Sequence, residues 1–191
     1  KKNDFIQLEF TGRIKEGEIF DTNIKEDAEK INLKIKDKEF IICVGQKMVI
    51  EGLDEALIEK EIGKSYSIEI PSTKAFGERN REMVKLIPLK VFHEKKISPQ
   101  TGMTLHMDNH LVRIASVSGG RVLVDFNNPL AGKEIIYDFT ITKKITDDKE
   151  KIDSLVNYFV KQPLTYELKD KKATFEVDQF FGSMITMLND K

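Results

Sequence analysis

Apolar and polar residues alternate in several short stretches, and the period of the alternation changes along the chain. Ile6, Leu8 and Phe10 are separated by Gln7 and Glu9 and followed by Thr11-Gly12, which predicts a half-buried strand meeting a glycine. Phe40-Ile41-Ile42-Cys43-Val44 is a run of β-formers that reaches Gly45. After a brief loop come Val49-Ile50. The chain is then expected to turn at Gly52 and enter a short helix carrying Leu53, Ala56 and Leu57. Tyr66, Ile68 and Ile70 alternate with Ser67 and Glu69 up to Pro71, and Ala75-Phe76-Gly77 follow. Residues 135–141 read as a closing strand.

The gap between Gly77 and Ile135 is too long for a structureless loop in a compact domain. It carries strand patterns at 103–107, 111–117 and 122–126, with a Ser118-Gly119-Gly120 turn, so a small β unit inserted there is expected. Past the closing strand, Asp147 and Glu150 have capping-box spacing. Ile152, Leu155, Val156, Phe159 and Val160 then fall on one helical face before Pro163. Leu164, Tyr166 and Leu168, a polar turn at Asp170-Lys171-Lys172, and Ala173, Phe175 and Val177 predict a hairpin. Phe180, Phe181, Met184, Ile185 and Leu188 predict a final helix. A piece of about 45 residues seldom buries enough surface to stand alone. It therefore docks on the rest, pairs with a second copy in a homodimer, or belongs to something longer.

In this order the blocks resemble the FKBP-type peptidyl-prolyl isomerases. The match comprises Phe10 before Thr11-Gly12, Gly17-Glu18-Ile19-Phe20-Asp21-Thr22, the Val49-Ile50 segment, Ala75-Phe76-Gly77 and the strand at 135–141. The insertion and its re-entry segment Asn127-Asn128-Pro129-Leu130-Ala131-Gly132 resemble the SlyD-like, insert-in-flap branch and an archaeal long-type member. The resemblance implies an α+β fold in which a half-barrel antiparallel sheet, residues 1–87 and 128–145, wraps a short helix. It implies an inserted small β-rich domain in the flap, residues 88–127, and a C-terminal α+β extension, residues 146–191.

The site follows by the same resemblance. Phe10, Phe20, Phe40, Val49, Ile50, Leu53, Phe76 and Tyr137 would form a wall and floor, Asp21 would sit at the edge, and the Ile50 N–H would bind a substrate carbonyl. Met103, Leu105, Met107, Leu111 and Val122 would hold client segments on the insert. Phe10 and Phe76 stand where tyrosine is usual, and Leu53 stands where tryptophan commonly forms the floor. A shallower, more adaptable floor and weak binding of macrolide inhibitors are implied.

Composition narrows the partners. Lys+Arg 31 against Asp+Glu 32 leaves a net charge of -1, so no basic field recruits nucleic acid. The one cysteine, Cys43, cannot form an internal disulfide and reads as a small buried residue. No stretch reaches membrane-spanning length and the start lacks a signal-peptide pattern, so a cytoplasmic protein without a membrane partner is expected. His93, His106 and His110 have no ligand spacing on strands, so no metal is expected. Glu51, Asp54 and Glu55 read as a solvated helix start.

The implied reaction needs no cofactor, because rotation about an X–Pro bond involves no bond making. Two functional classes fit: a prolyl isomerase acting on unfolded or proline-containing polypeptides, and a holdase-type chaperone in which the pocket is secondary.

Overall fold

The longest alternating stretches pair with each other and build the central sheet. The computed structural model describes residues 1–35, 39–107 and 110–177. The first part runs β1 (Phe5–Ile14), β2 (Ile19–Thr22), α1 (Lys25–Lys30), β3 (Ile41–Cys43), α2 (Glu51–Ala56) and β4 (Ser65–Ile70). Next come β5 (Val84–Pro88), α3 (Leu89–Glu94), β6 (Thr104–Met107), β7 (His110–Ser118) and β8 (Arg121–Asp125). The chain closes with β9 (Ile135–Ile145), α4 (Asp148–Phe159), β10 (Thr165–Lys169) and β11 (Lys172–Glu176). Antiparallel sheets with short helices make this an α+β protein.

The central sheet has the order β2-β1-β9-β4, with β3 also paired to β1. β1 and β9 run antiparallel from Phe5↔Ile145 to Ile14↔Ile135, with a register shift between Gln7 and Leu8. Ile6, Leu8 and Phe10 of β1 and Ile135, Tyr137, Phe139 and Ile141 of β9 all face the same core. α2 is held against this face by Leu53 and Leu57, each 1% exposed. Burying such a leucine contributes roughly 1.5–3 kcal/mol, more than the propensity of a six-residue helix could supply. Gly12 does not end β1, which continues to Ile14. Gly52 is no turn either: it lies inside α2, where a Cβ would collide with Ile70 of β4. Its role is close approach of helix to strand.

The inserted unit is a second sheet, β5-β8-β7-β6. Its own core comprises Phe92 of α3 with Val112, Ile114, Val122 and Val124. β5 pairs along its length with β8, from Val84↔Asp125 to Pro88↔Arg121. Residues 84–87 therefore belong with the insert, and its first boundary lies before residue 84 instead of at 88. The alternation there is blurred because Leu86 is exposed and is followed by Ile87 and Pro88.

In the C-terminal region the side chain of Asp147 accepts the Glu150 N–H at 2.8 Å and caps α4. Leu155 and Tyr158 pack on the main core, and the Tyr158 hydroxyl donates to the Met48 carbonyl at 2.7 Å. Phe159, expected on the docking face, is 69% exposed, because the contact with the sheet is made one residue earlier. β10 and β11 form the expected hairpin. Asp170 and Lys171 turn it with φ of 49° and 62°, the left-handed pair of a tight hairpin. The expected final helix at 180–188 lies outside the described residues. Among the described residues, no helix is long and apolar enough to cross a membrane.

Candidate active site

The expected site residues come from separate elements that meet over α2. β1 brings Phe10, β2 brings Phe20 and Asp21, and the residue before β3 is Phe40. Val49 and Ile50 lead into α2, which carries Leu53; Phe76 follows β4, and Tyr137 lies on β9. Their rings form a continuous chain. Phe40 meets Phe10 edge-on at 5.3 Å, and Phe10 lies 5.8 Å from Tyr137. Tyr137 meets Phe20 at 5.9 Å, and Phe20 meets Phe76 at 5.6 Å, both edge-to-face. These separations are in the favourable range for aromatic pairs. Val49, Ile50 and Leu53 pack into the same cluster.

Exposure divides the set. Phe10, Leu53 and Tyr137 are nearly covered, at 7%, 1% and 4%, and form the buried side of the cluster. Phe20, Phe40, Val49, Ile50 and Phe76 are only partly buried and present its apolar surface. The walls approach closely because β1 has no side chain at Gly12, where a Cβ would lie 2.9 Å from both the Phe20 and Tyr137 rings.

Polar groups at the aromatic cluster are few. Ile50 is the residue before α2, with φ -59° and ψ 149°, so its N–H lies outside the helical ladder. Among the described residues that N–H has no backbone acceptor, whereas its carbonyl accepts from Leu53 and Asp54. Burial raises the Asp21 carboxyl above the usual carboxylate value, partly offset by the Thr22 N–H. Burial, and then the negative charge of Asp21, push the Tyr137 hydroxyl well above the usual phenol value. Tyr137 stays neutral. An apolar aromatic surface with one main-chain donor beside it and a single carboxylate at its edge can desolvate an apolar group and hold a neighbouring carbonyl.

The supporting shell was not visible in the sequence. Asp54, expected in a solvated helix start, is 5% exposed. Its carboxylate accepts the Gly45 N–H at 2.7 Å and the Lys47 N–H at 2.9 Å, clamping the loop that delivers Val49 and Ile50. Asn23 accepts the Phe10 N–H and donates to the Leu8 carbonyl, both at 2.7 Å, which fixes the β1 backbone beneath Phe10. The hint for Asp54 was an acidic residue beside two apolar ones on a short helix. For Asn23 there was no signal beyond a turn residue.

The expected client residues on the insert separate likewise. Val122 is 0% exposed and lies in the insert's core, so it cannot meet a client on the folded surface. Leu105 and Met107 pack against that core. Met103 and Leu111 are 39% and 45% exposed, and Leu86, which the sequence did not single out, is 54% exposed. His106 and His110 sit on paired strands in adjacent register positions and so face opposite sides. A separate cleft of about 790 Å³ lies between Phe40 and α4, with Glu39, Asp153, Asn157, Lys161 and other polar side chains in its lining. It offers charge where the aromatic cluster offers apolar surface, and so suits an imide less well.

Residues 1–93 match the family model described as FKBP-type peptidyl-prolyl cis-trans isomerase, and residues 85–130 match that of the FKBP26 IF domain. The short-type peptidyl-prolyl cis-trans isomerase of Methanocaldococcus jannaschii is 32% identical over 144 residues, covering 74% of this chain and 90% of its own length. The chain belongs to the FKBP-type peptidyl-prolyl cis-trans isomerases. The SlyD isomerase of Treponema pallidum is 29% identical over 149 residues, 75% of this chain and 78% of that one. Among solved structures, the three FKBP domains of wheat FKBP73 superpose with a TM-score of 0.41 at 15% identity, over 77% of this chain and 40% of that one. This FKBP-type, SlyD-like chain is a peptidyl-prolyl cis-trans isomerase, and its chemistry is rotation about X–Pro bonds.

Proposed function

We propose that the aromatic hollow is where this isomerase turns the prolyl bond, and that the inserted sheet captures the unfolded client. The observation that carries the first part is the unbroken ring chain Phe40–Phe10–Tyr137–Phe20–Phe76 with the Ile50 N–H at its rim. Resonance makes the peptide bond planar and sets a barrier of roughly 18–20 kcal/mol. A twisted imide has lost that resonance and has less charge separation than the planar form. An apolar hollow therefore disfavours the planar bond more than the twisted one, which is the differential binding that catalysis requires. The Ile50 N–H would hold a flanking carbonyl while Phe20 and Phe76 close over the pyrrolidine ring. Neither a nucleophile nor a cofactor enters this scheme.

Client capture rests on the exposed Leu86, Met103 and Leu111 and on β5 and β6, the outer strands of the insert's sheet. An extended segment could add to such an edge, placing prolines at high local concentration beside the hollow. Unfolded polypeptides in the cytoplasm are the clients in this reading. Pairing with a second copy through the C-terminal region belongs to it as well, since Phe159 of α4 and Leu168 and Phe175 of the hairpin are exposed.

The test pairs two assays. Phe76→Ala should cut kcat/KM on an Xaa-Pro tetrapeptide about tenfold, equivalent to about 1.4 kcal/mol, while keeping a native circular dichroism spectrum. Suppression of client aggregation should survive. Intact tetrapeptide turnover in that variant would remove the hollow from the reaction.

A further inference from the structure

Two linkers join the insert to the isomerase, residues 78–83 and 126–134, and one side chain ties them together. Asn127 is 8% exposed. Its Oδ1 accepts the Asn80 N–H at 2.8 Å, and its Nδ2 donates to the Asn80 carbonyl at 2.9 Å. The amide thus pairs with both main-chain groups of Asn80, as a strand neighbour would. Nδ2 also donates to Asp125 Oδ1 at 2.7 Å, and the same oxygen accepts the Asn127 N–H at 3.0 Å. The other Asp125 oxygen pairs with Arg79 at 2.5 Å.

On the isomerase side, the Gly132 N–H donates to the Gly77 carbonyl at 2.8 Å, with both glycines in the left-handed region, φ 74° and 79°. On the insert side, the Phe126 N–H donates to the Met83 carbonyl at 2.9 Å. Asn127 stands between these two main-chain links. Removing it leaves a glycine-flanked crossing held by single bonds and one ion pair, and exposed ion pairs contribute little in water.

We infer that Asn127 is a positioning residue: it pins the two linkers so that the insert holds client prolines at one fixed angle to the hollow. This rests on the client-capture reading above. It needs both ends of a short amide, one acceptor and two donor hydrogens, which together make three hydrogen bonds. A carboxylate lacks the two donors and would face Asp125 with like charge, and a methyl supplies neither donor nor acceptor.

Asn127→Ala and Asn127→Asp, the second keeping the native size, test it in the full chain. Backbone ¹⁵N relaxation should give one rotational correlation time for both sheets in the wild type and separate values in the variants. Tetrapeptide kcat/KM should be unchanged. Acceleration of a proline-limited protein refolding should fall about threefold or more, through a higher KM at constant kcat. A common correlation time in both variants overturns the inference. Wild-type refolding acceleration also overturns it, and the insert-deleted protein identifies the failed claim. If deletion slows refolding, the pin alone falls; if deletion leaves it fast, client capture falls with it.

Discussion

The missing side chain at residue 12 governs how closely the walls of the hollow approach. Gly12→Ala would set a methyl 2.9 Å from two packed rings that have no free end to swing away. It should destabilise the protein by about 1–3 kcal/mol in urea unfolding and lower peptide turnover. Phe76→Ala and Tyr137→Ala should behave differently despite sharing the hollow. Phe76 is partly exposed, whereas Tyr137 is 4% exposed, so truncating Tyr137 should cost about 3–5 kcal/mol and obscure any catalytic role. Asp21 gives a pH signature. Burial raises its folded carboxyl above the unfolded value of 3.8, so the ionised form costs stability at neutral pH. That cost is relieved as pH falls through the raised folded value. Asp21→Asn should therefore melt slightly higher than wild type at pH 7, and scanning calorimetry should show the gain vanish below pH 3.8.

At the scale of elements, the loop from Gly45 to Ile50 owes its shape to one buried carboxylate. Asp54→Ala leaves two main-chain donors without their acceptor and should cost about 2–3 kcal/mol, read as a shifted urea midpoint, with peptide KM rising as Ile50 loses its setting. The sequence announced β1, β4 and β9 because one face of each is buried, and burial of one face writes itself as period two. It announced the hollow because glycine, aromatic and Val-Ile positions recur in a known order. β5 and α3 stayed hidden. The outward Leu86 breaks the alternation, and six residues are too few to display a helical period. Asp54, Asn23 and Asn127 stayed hidden for another reason: each acts on main chain brought near only by the fold, and a polar residue in a turn looks alike whether or not it does so.

For the whole molecule, the proposed division of labour is between an apolar hollow that turns the bond and an inserted sheet, joined by pinned linkers, that holds the client. Replacing residues 81–126 with a short flexible turn should leave tetrapeptide isomerisation within about twofold of wild type while markedly slowing proline-limited refolding of a protein client. Equal losses in both assays would mean that the insert shapes the hollow instead of feeding it. The most direct measurement is a titration of the ¹⁵N-labelled full chain with a proline-containing tetrapeptide, followed by amide chemical shifts. The largest changes are expected at Ile50, Phe20 and Phe76, with the Ile50 amide moving downfield as it gains an acceptor. Changes centred instead on Glu39, Asn157 and Lys161, around the cleft beside α4, would contradict it.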